Sequence, residues 1–358
     1  MSSDFTNFVF TALPSRVLFG PGRRRDVNDE VRRLGGTRPL ITTTRDQTSL
    51  GDEVAAQFDA AVITRFSDAT MHTPWEVTER ALNVVKEAGC DCLVAVGGGS
   101  TIGLSKAIAL QTDLPQIVLP TTYAGSEVTP IIGETRDGEK RTQRTLKVLP
   151  EVVIYDVDLT YTLPVPLSVT SGLNAMAHAV EALYAQDANP ITSIMAEEGI
   201  AALASALPGI VQNPRSEHDR RIAQYGAWLC GTCLGTVGMS LHHKICHVLG
   251  GTFNLPHAET HAVMIPHVTA YNAEAAPGAM TRIARALGDA DAARGLHALA
   301  KALGAPTALK DIGMPEDRLQ RAAELVTQNV YPNPRPPEVG AVRQMLERAW
   351  NGLPPATA

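Results

Sequence analysis

Over its first 160 residues the chain alternates short β-branched and aliphatic runs with helical stretches, and then the β-rich runs stop. The runs are RVLFG (16–20), PLITTT (39–44), AVITRF (61–66), CLVAV (92–96), QIVLP (116–120) and VVIYD (152–156). Segments such as TPWEVTERALNVVKEAG (73–89) and IGLSKAIALQ (102–111) lie between them. Strands that alternate with helices pack as a mostly parallel sheet with helices laid on it. Beyond that point a 3.6-residue period takes over, in alanine-rich segments at 167–187, 190–207, 216–249, 257–276, 278–287, 291–303, 315–328 and 338–351. The pattern predicts an α/β, Rossmann-like N-terminal domain with a parallel sheet over 1–161 and an all-α C-terminal domain over 162–358, joined through TLPVPLS (162–168). The cleft between two such domains is a common place for a ligand.

Hydrophobic residues make up 44% of the 358, ample for a core, and the net charge of −6 argues against nucleic acid or an anionic membrane as partner. No run approaches 18 uninterrupted apolar residues, so no membrane-spanning helix is expected, and the N-terminus lacks the basic start of a signal peptide. Five cysteines, an odd number, suggest reduced thiols and a cytoplasmic location.

Two stretches suggest a nucleotide site. In CLVAVGGGST, three glycines follow a buried-type strand and open a helix, so Gly97, Gly98, Gly99, Ser100 and Thr101 can bring backbone N–H groups to a phosphate. This is not the G-x-G-x-x-G fingerprint, and a tight turn without a ligand would look similar. LPTTYAGSEVTP (119–130) follows the next strand, and Thr121 and Thr122 would form a second wall of the same nucleotide site. GEKRTQRTLK (138–147) reads as a solvated hairpin, or else as a basic run from which Lys140 reaches cofactor phosphates or substrate carboxylates.

HHKICHVLGGTFNLPHAETHAVMIPH (242–267) carries six of the ten histidines. His243 and His247 are four apart and share a helical face. Gly250 and Gly251 would end that helix, and Pro256 would start the next with His257 in its first turn. In SGLNAMAHAVEALYA (171–185), Asn174 and His178 are also four apart, with Glu181 three residues on. His178 could thus meet His243 and His257 from another helix. His242 and His261 are expected to point elsewhere or support, and His267 to be structural. CGTC (230–233) lies in a helical pattern with no second cysteine pair and reads as core packing.

Taken together, GGGST, PTTYAGSEVT, SGLNAMAHAVEA, HKICHVLGGTFNLPHA and the late NPRP (333–336) resemble the iron-containing alcohol dehydrogenase family over nearly the whole length. That family shares its two-domain plan with dehydroquinate synthase. RVLFGPG, TTYAGSEVTPI and HHKICHVLGGTFNLPHAETHA are most similar to its maleylacetate reductase branch. The resemblance implies NADH or NADPH as cofactor, a small dianionic substrate and a homodimer. The family usually binds a divalent metal through one Asp and three His. Carried over, the histidines fall on His178, His243 and His257, with His247 close to the nicotinamide, but the aspartate position is Asn174. A neutral amide is a weaker ligand than a carboxylate, so the metal site reads as vestigial and a metal is expected not to be required. Two more positions depart from the family: the Asp that often closes its G-G-G-S-x-x-D turn is Gly103, and the acid that often holds the adenosine ribose is replaced near Thr44, beside Arg45. Without that carboxylate, both NADH and NADPH are expected to serve.

The resemblance therefore implies reduction of an enone carbon–carbon double bond. His243 and His257 would contact carbonyl or carboxylate oxygens and deliver the proton, with His178 and His247 orienting substrate and nicotinamide. The substrate would also meet Asn174, Tyr123 and Phe253, and its two negative charges would favour protonated histidine by raising the pKa. The alternatives are a metal-dependent alcohol dehydrogenase acting on an alcohol or aldehyde, and a nucleotide-binding protein without activity.

Overall fold

The computed structural model describes residues 7–136 and 139–356, with the backbone alone at 139–141. The chain divides into two compact units, 13–163 and 164–356, the latter joined by residues 7–12. The sequence reading put residues 7–12 in the α/β domain. They are exposed, form no strand, and group with the helical unit.

The first unit contains β1 (Arg16–Phe19), α1 (Val27–Arg33), β2 (Pro39–Thr42), α2 (Thr48–Ala55), β3 (Thr64–Phe66), α3 (Trp75–Ala88), β4 (Cys92–Gly97), α4 (Gly99–Thr112), β5 (Gln116–Pro120), the hairpin β6 (Ile131–Arg136) and β7 (Glu139–Arg144), and β8 (Val152–Tyr155). Six strands form one parallel sheet in the order β1-β8-β5-β4-β2-β3. Every residue of β4 is buried, as expected of a central strand covered on both faces. Its side chains alternate between the two layers. Val94 and Val96 join the core with Val27, Val31 and Val54, while Leu93 joins the core of α3 and α4. The chain crosses from β3 to β4 on the far side of β2, so the topological switch lies between β2 and β4. Ligands of open α/β sheets bind at that point, outside the strands' carboxyl ends.

The second unit contains α5 (Val165–Ala182), α6 (Pro190–Gln212), α7 (Glu217–Thr236), α8 (Leu241–Phe253), α9 (His257–Asn272), α10 (Pro277–Leu287), α11 (Ala292–Ala302), α12 (Leu319–Val326) and α13 (Val339–Trp350). α5 packs against α6, α7 and α9, and α9 also packs against α8 and α11. By length and composition α6 could cross a membrane. Here α6 packs against α5 and α7, with Ile200, Leu203, Leu207 and Ile210 among its buried residues, and its Glu197 pairs with Arg282 and Arg285.

Two helix boundaries differ from the sequence expectation. The span 216–249 is not continuous but breaks between Thr236 and Leu241. Gly250 and Gly251 do not end α8, which runs on to Phe253 and is closed by Asn254 in the left-handed conformation, φ 56°. The CGTC cysteines lie buried in α7 as free thiols; burial pushes Cys233 up to about 12 and Cys230 well above its usual value, so both are inert packing.

Candidate active site

The loops after β2 and β4 meet at the switch point and line a cavity of about 560 Å³ with Thr44, Arg45, Asp46, Asp68 and Ser100 among its walls. Steric space there divides the three glycines into two kinds. A Cβ on Gly97 would lie 2.4 Å from Thr101 Oγ1, and one on Gly98 would lie 2.8 Å from Thr122 Cγ2. Gly97 and Gly98 are therefore demanded by the protein's own packing. Gly99 has nothing within 4 Å of its Cβ position and opens α4, so the space above this helix N-terminus is free for a phosphate. Thr101 Oγ1 is buried without a partner. Gln47, which the sequence reading missed, donates to Thr121 Oγ1 at 2.8 Å and ties the β2 and β5 loops together.

Lys106 was also missed. It is fully buried in α4, and its ammonium donates to the carbonyls of Ser126 (2.6 Å), Thr129 (2.7 Å) and Ile131 (2.8 Å), clamping the loop after β5. Burial pulls its pKa down to about 7, partly offset by Glu127. A lone lysine inside the apolar run IGLSKAIAL was the available signal.

Asp68 corrects the expectation about the ribose end. Arg45 Nε donates to Asp68 Oδ1 at 2.7 Å, and Arg80 reaches the other carboxylate oxygen at 3.3 Å. The carboxylate absent beside Thr44 is thus supplied from the loop after β3, and Arg45 is already paired. The Lys140 side chain lies outside the described residues. Tyr123 is fully buried, and Phe253 is partly buried against the core of α8, α9, α12 and α13.

The helical unit brings six imidazoles together from three helices. His178 comes from α5, His242, His243 and His247 from α8, and His257 and His261 from α9. Ring centroids lie 5.1 Å apart for His178–His243, 5.0 Å for His243–His261, 4.4 Å for His257–His261 and 6.1 Å for His243–His247. His261, set aside by the sequence reading, sits among His178, His242, His243 and His257, and its Nδ1 lies 2.9 Å from His242 Nε2. His247 is exposed, with Nδ1 3.2 Å from the Tyr331 hydroxyl, and His257 is exposed at the start of α9. His267 is buried elsewhere on α9.

Five polar atoms of this cluster are buried without a partner: Asn174 Oδ1, His178 Nδ1, His242 Nδ1, His243 Nε2 and His261 Nε2. Orphaned polar atoms at such density mark a place built for a polar ligand. Among the described residues, one carboxylate bonds to the cluster. Glu181, on the same α5 face as Asn174 and His178, accepts His243 Nδ1 at 2.6 Å and the backbone N–H groups of Ser240 and His242. The sequence reading noted Glu181 three residues after His178 but gave it no role.

The expectation of raised histidine pKa values concerned rings facing a bound dianion; in the free protein three of the rings run the other way. Burial, and then the neighbouring imidazoles, push His178, His242 and His261 well below the usual value, so they are neutral near pH 7. A neutral imidazole still donates a hydrogen bond to a developing oxyanion, and a bound dianion would draw these values back up.

The donor set does not fit the metal that such a site could hold. Its one carboxylate is committed to three other donors, and an amide stands at 174. Among the described residues, the group at ligand spacing is His242, Cys246 and His261, with donor atoms within 4.8 Å, rather than His178, His243 and His257. That group lacks a carboxylate too, and its two ring nitrogens stand at hydrogen-bond distance.

Models of the iron-containing alcohol dehydrogenase and of the C-terminal region of the Fe-containing alcohol dehydrogenase family match residues 14–157 and 168–350. The chain belongs to the iron-containing alcohol dehydrogenase family. A maleylacetate reductase from Rhizobium sp. (strain MTP-10005) is 54% identical over 348 residues, covering 97% of this chain and 99% of that one. One from Sphingobium indicum is 52% identical, covering 98% and 99%. The crystal structure of maleylacetate reductase from Agrobacterium tumefaciens superposes with a TM-score of 0.94 at 53% identity, covering 98% of this chain and all of that one. Within the family, then, the similarity runs to members named maleylacetate reductase.

Proposed function

We propose that this chain reduces the carbon–carbon double bond of maleylacetate to give 3-oxoadipate, a step in the degradation of aromatic compounds. The observation that carries the reading is the cluster of imidazoles with Asn174, an amide, where a metal-binding relative has its aspartate.

Bound dihydronicotinamide supplies the hydride, which adds to the carbon β to the ketone. The Gly97–Thr101 turn, with Thr121 and Thr122, would hold the cofactor phosphates and Thr44 its ribose. Negative charge then develops on the substrate's enolate oxygen. His243, as an imidazolium whose Nδ1–H is held by Glu181 and whose Nε2–H faces the substrate, and His257 donate to that oxygen and to a substrate carboxylate, and deliver a proton to the α-carbon. Hydride and proton together saturate the double bond, and the ketone is regenerated. His178 and His261 line the buried side, His247 stands at the exposed side with Tyr331, and the Asn174 amide meets the dianion without charge repulsion. No step calls on a metal. The same reading takes the chain as a cytoplasmic homodimer.

A coupled assay tests it: oxidation of NADH and of NADPH with maleylacetate, with and without EDTA. Turnover that survives the chelator is expected. Metal at one equivalent per chain, with activity that EDTA abolishes, would instead favour an alcohol dehydrogenase.

A further inference from the structure

We infer that Glu181 is a positioning residue of this reaction, fixing the ring orientation and tautomer of His243 so that Nε2 is the atom offered to the substrate. The inference deepens the reading above and rests on it.

Glu181 has no exposed surface and meets three donors. Oε2 accepts from His243 Nδ1 at 2.6 Å and from the Ser240 N–H at 2.9 Å, and Oε1 accepts from the His242 N–H at 2.7 Å. Two of these are the backbone donors that the start of α8 leaves open, since Ser240 makes no side-chain cap of its own. A cap accounts for two bonds and not for the third. The third commits His243 Nδ1, and the remaining ring nitrogen, Nε2, is buried without a partner; the His178 ring, its Nδ1 also unpartnered, lies 5.1 Å from the His243 ring between centroids, and Asn174, with Oδ1 unpartnered, stands one turn before His178 on α5. A carboxylate behind an imidazole holds the tautomer and the ring plane in many active sites. Here one carboxylate couples the register of α8 to the direction of a reactive nitrogen, so helix start and reactive atom cannot drift apart.

An amide cannot reproduce this pattern. In Glu181→Gln, either the NH2 faces the His242 N–H, or it faces Ser240 N–H and donates to His243 Nδ1, which forces the opposite tautomer. The test compares wild type, Glu181→Gln and Glu181→Asp by kcat and KM for maleylacetate, by NADH affinity, by Tm, and by 15N signals of the His243 ring, assigned through His243→Gln. Glu181→Gln should lose roughly 10- to 100-fold in kcat while KM and NADH affinity hold, with His243 ring signals shifted. Glu181→Asp should recover part of kcat and the wild-type ring signals. Wild-type kcat in Glu181→Gln overturns the inference, and so does unchanged His243 signals with losses that merely follow Tm in both variants. If wild type itself fails to oxidise NADH with maleylacetate, the reading of the reaction falls, and the ring signals still decide whether Glu181 sets the tautomer.

Discussion

Asn174 is the residue on which the proposed reaction turns. Its Oδ1 is buried without a partner among imidazoles. Asn174→Asp would restore an anionic ligand at the same place and set a negative charge against a dianionic substrate. That variant should retain iron or zinc through gel filtration, read by metal analysis, and lose about tenfold or more in kcat/KM for maleylacetate, since like charges in a buried contact cost several kcal/mol. Asp68 plays the corresponding part at the nucleotide. It sits between Arg45 and Arg80, so the cavity at Thr44 is less cationic than the sequence suggests. Asp68→Asn frees both guanidiniums, and the ratio of kcat/KM for NADPH over NADH should rise about tenfold, consistent with one charge-assisted bond of about 1.5 kcal/mol.

At the scale of elements, the loops carry what the strands only position. The departure of Gly103 from the family's aspartate has a local cause. A Cβ there would lie 2.4 Å from Thr73 Oγ1, and Thr73 is buried with φ 45°. Gly103→Asp should therefore destabilise by about 1–3 kcal/mol, the usual range for overpacking, read by urea unfolding. The loop after β5 owes its shape to Lys106, whose ammonium satisfies three carbonyls at once. The sequence showed that this loop follows a strand and carries two threonines, but not what holds it, because a clamp from a neighbouring helix leaves no mark in the loop's own residues. The break before α8 is similar. Its cause, Glu181, lies about sixty residues earlier in the chain, where spacing along α8 cannot reveal it.

Across the molecule, the buried histidines tie stability to pH. Burial, with His297 and Arg348 nearby, lowers His267 to about 4. The unfolded chain takes up a proton near pH 6.5 and the folded chain only near 4, so the neutral ring contributes stability above 6.5 that is lost as pH falls toward 4. The contribution is about 3 kcal/mol, at 1.36 kcal/mol per unit. His178, His242 and His261 shift the same way and add to it. Urea midpoints should fall steadily from pH 7 to pH 4.5, and His267→Gln should flatten part of that slope.

The sequence by itself determined the order of strands and helices, the glycine turn, and the histidine and asparagine positions. These follow from local periodicity and from residue types whose chemistry is narrow. All six strands lie where the alternation put them, to within a few residues. Only the tertiary structure decided which imidazoles meet, that His261 and Glu181 belong with His243, that Asp68 returns a carboxylate to the cavity at Thr44, and that burial lowers the histidine pKa values. Those outcomes depend on side chains brought within a few ångströms from distant parts of the chain, and on the loss of water around them, and neither is a function of spacing along the sequence.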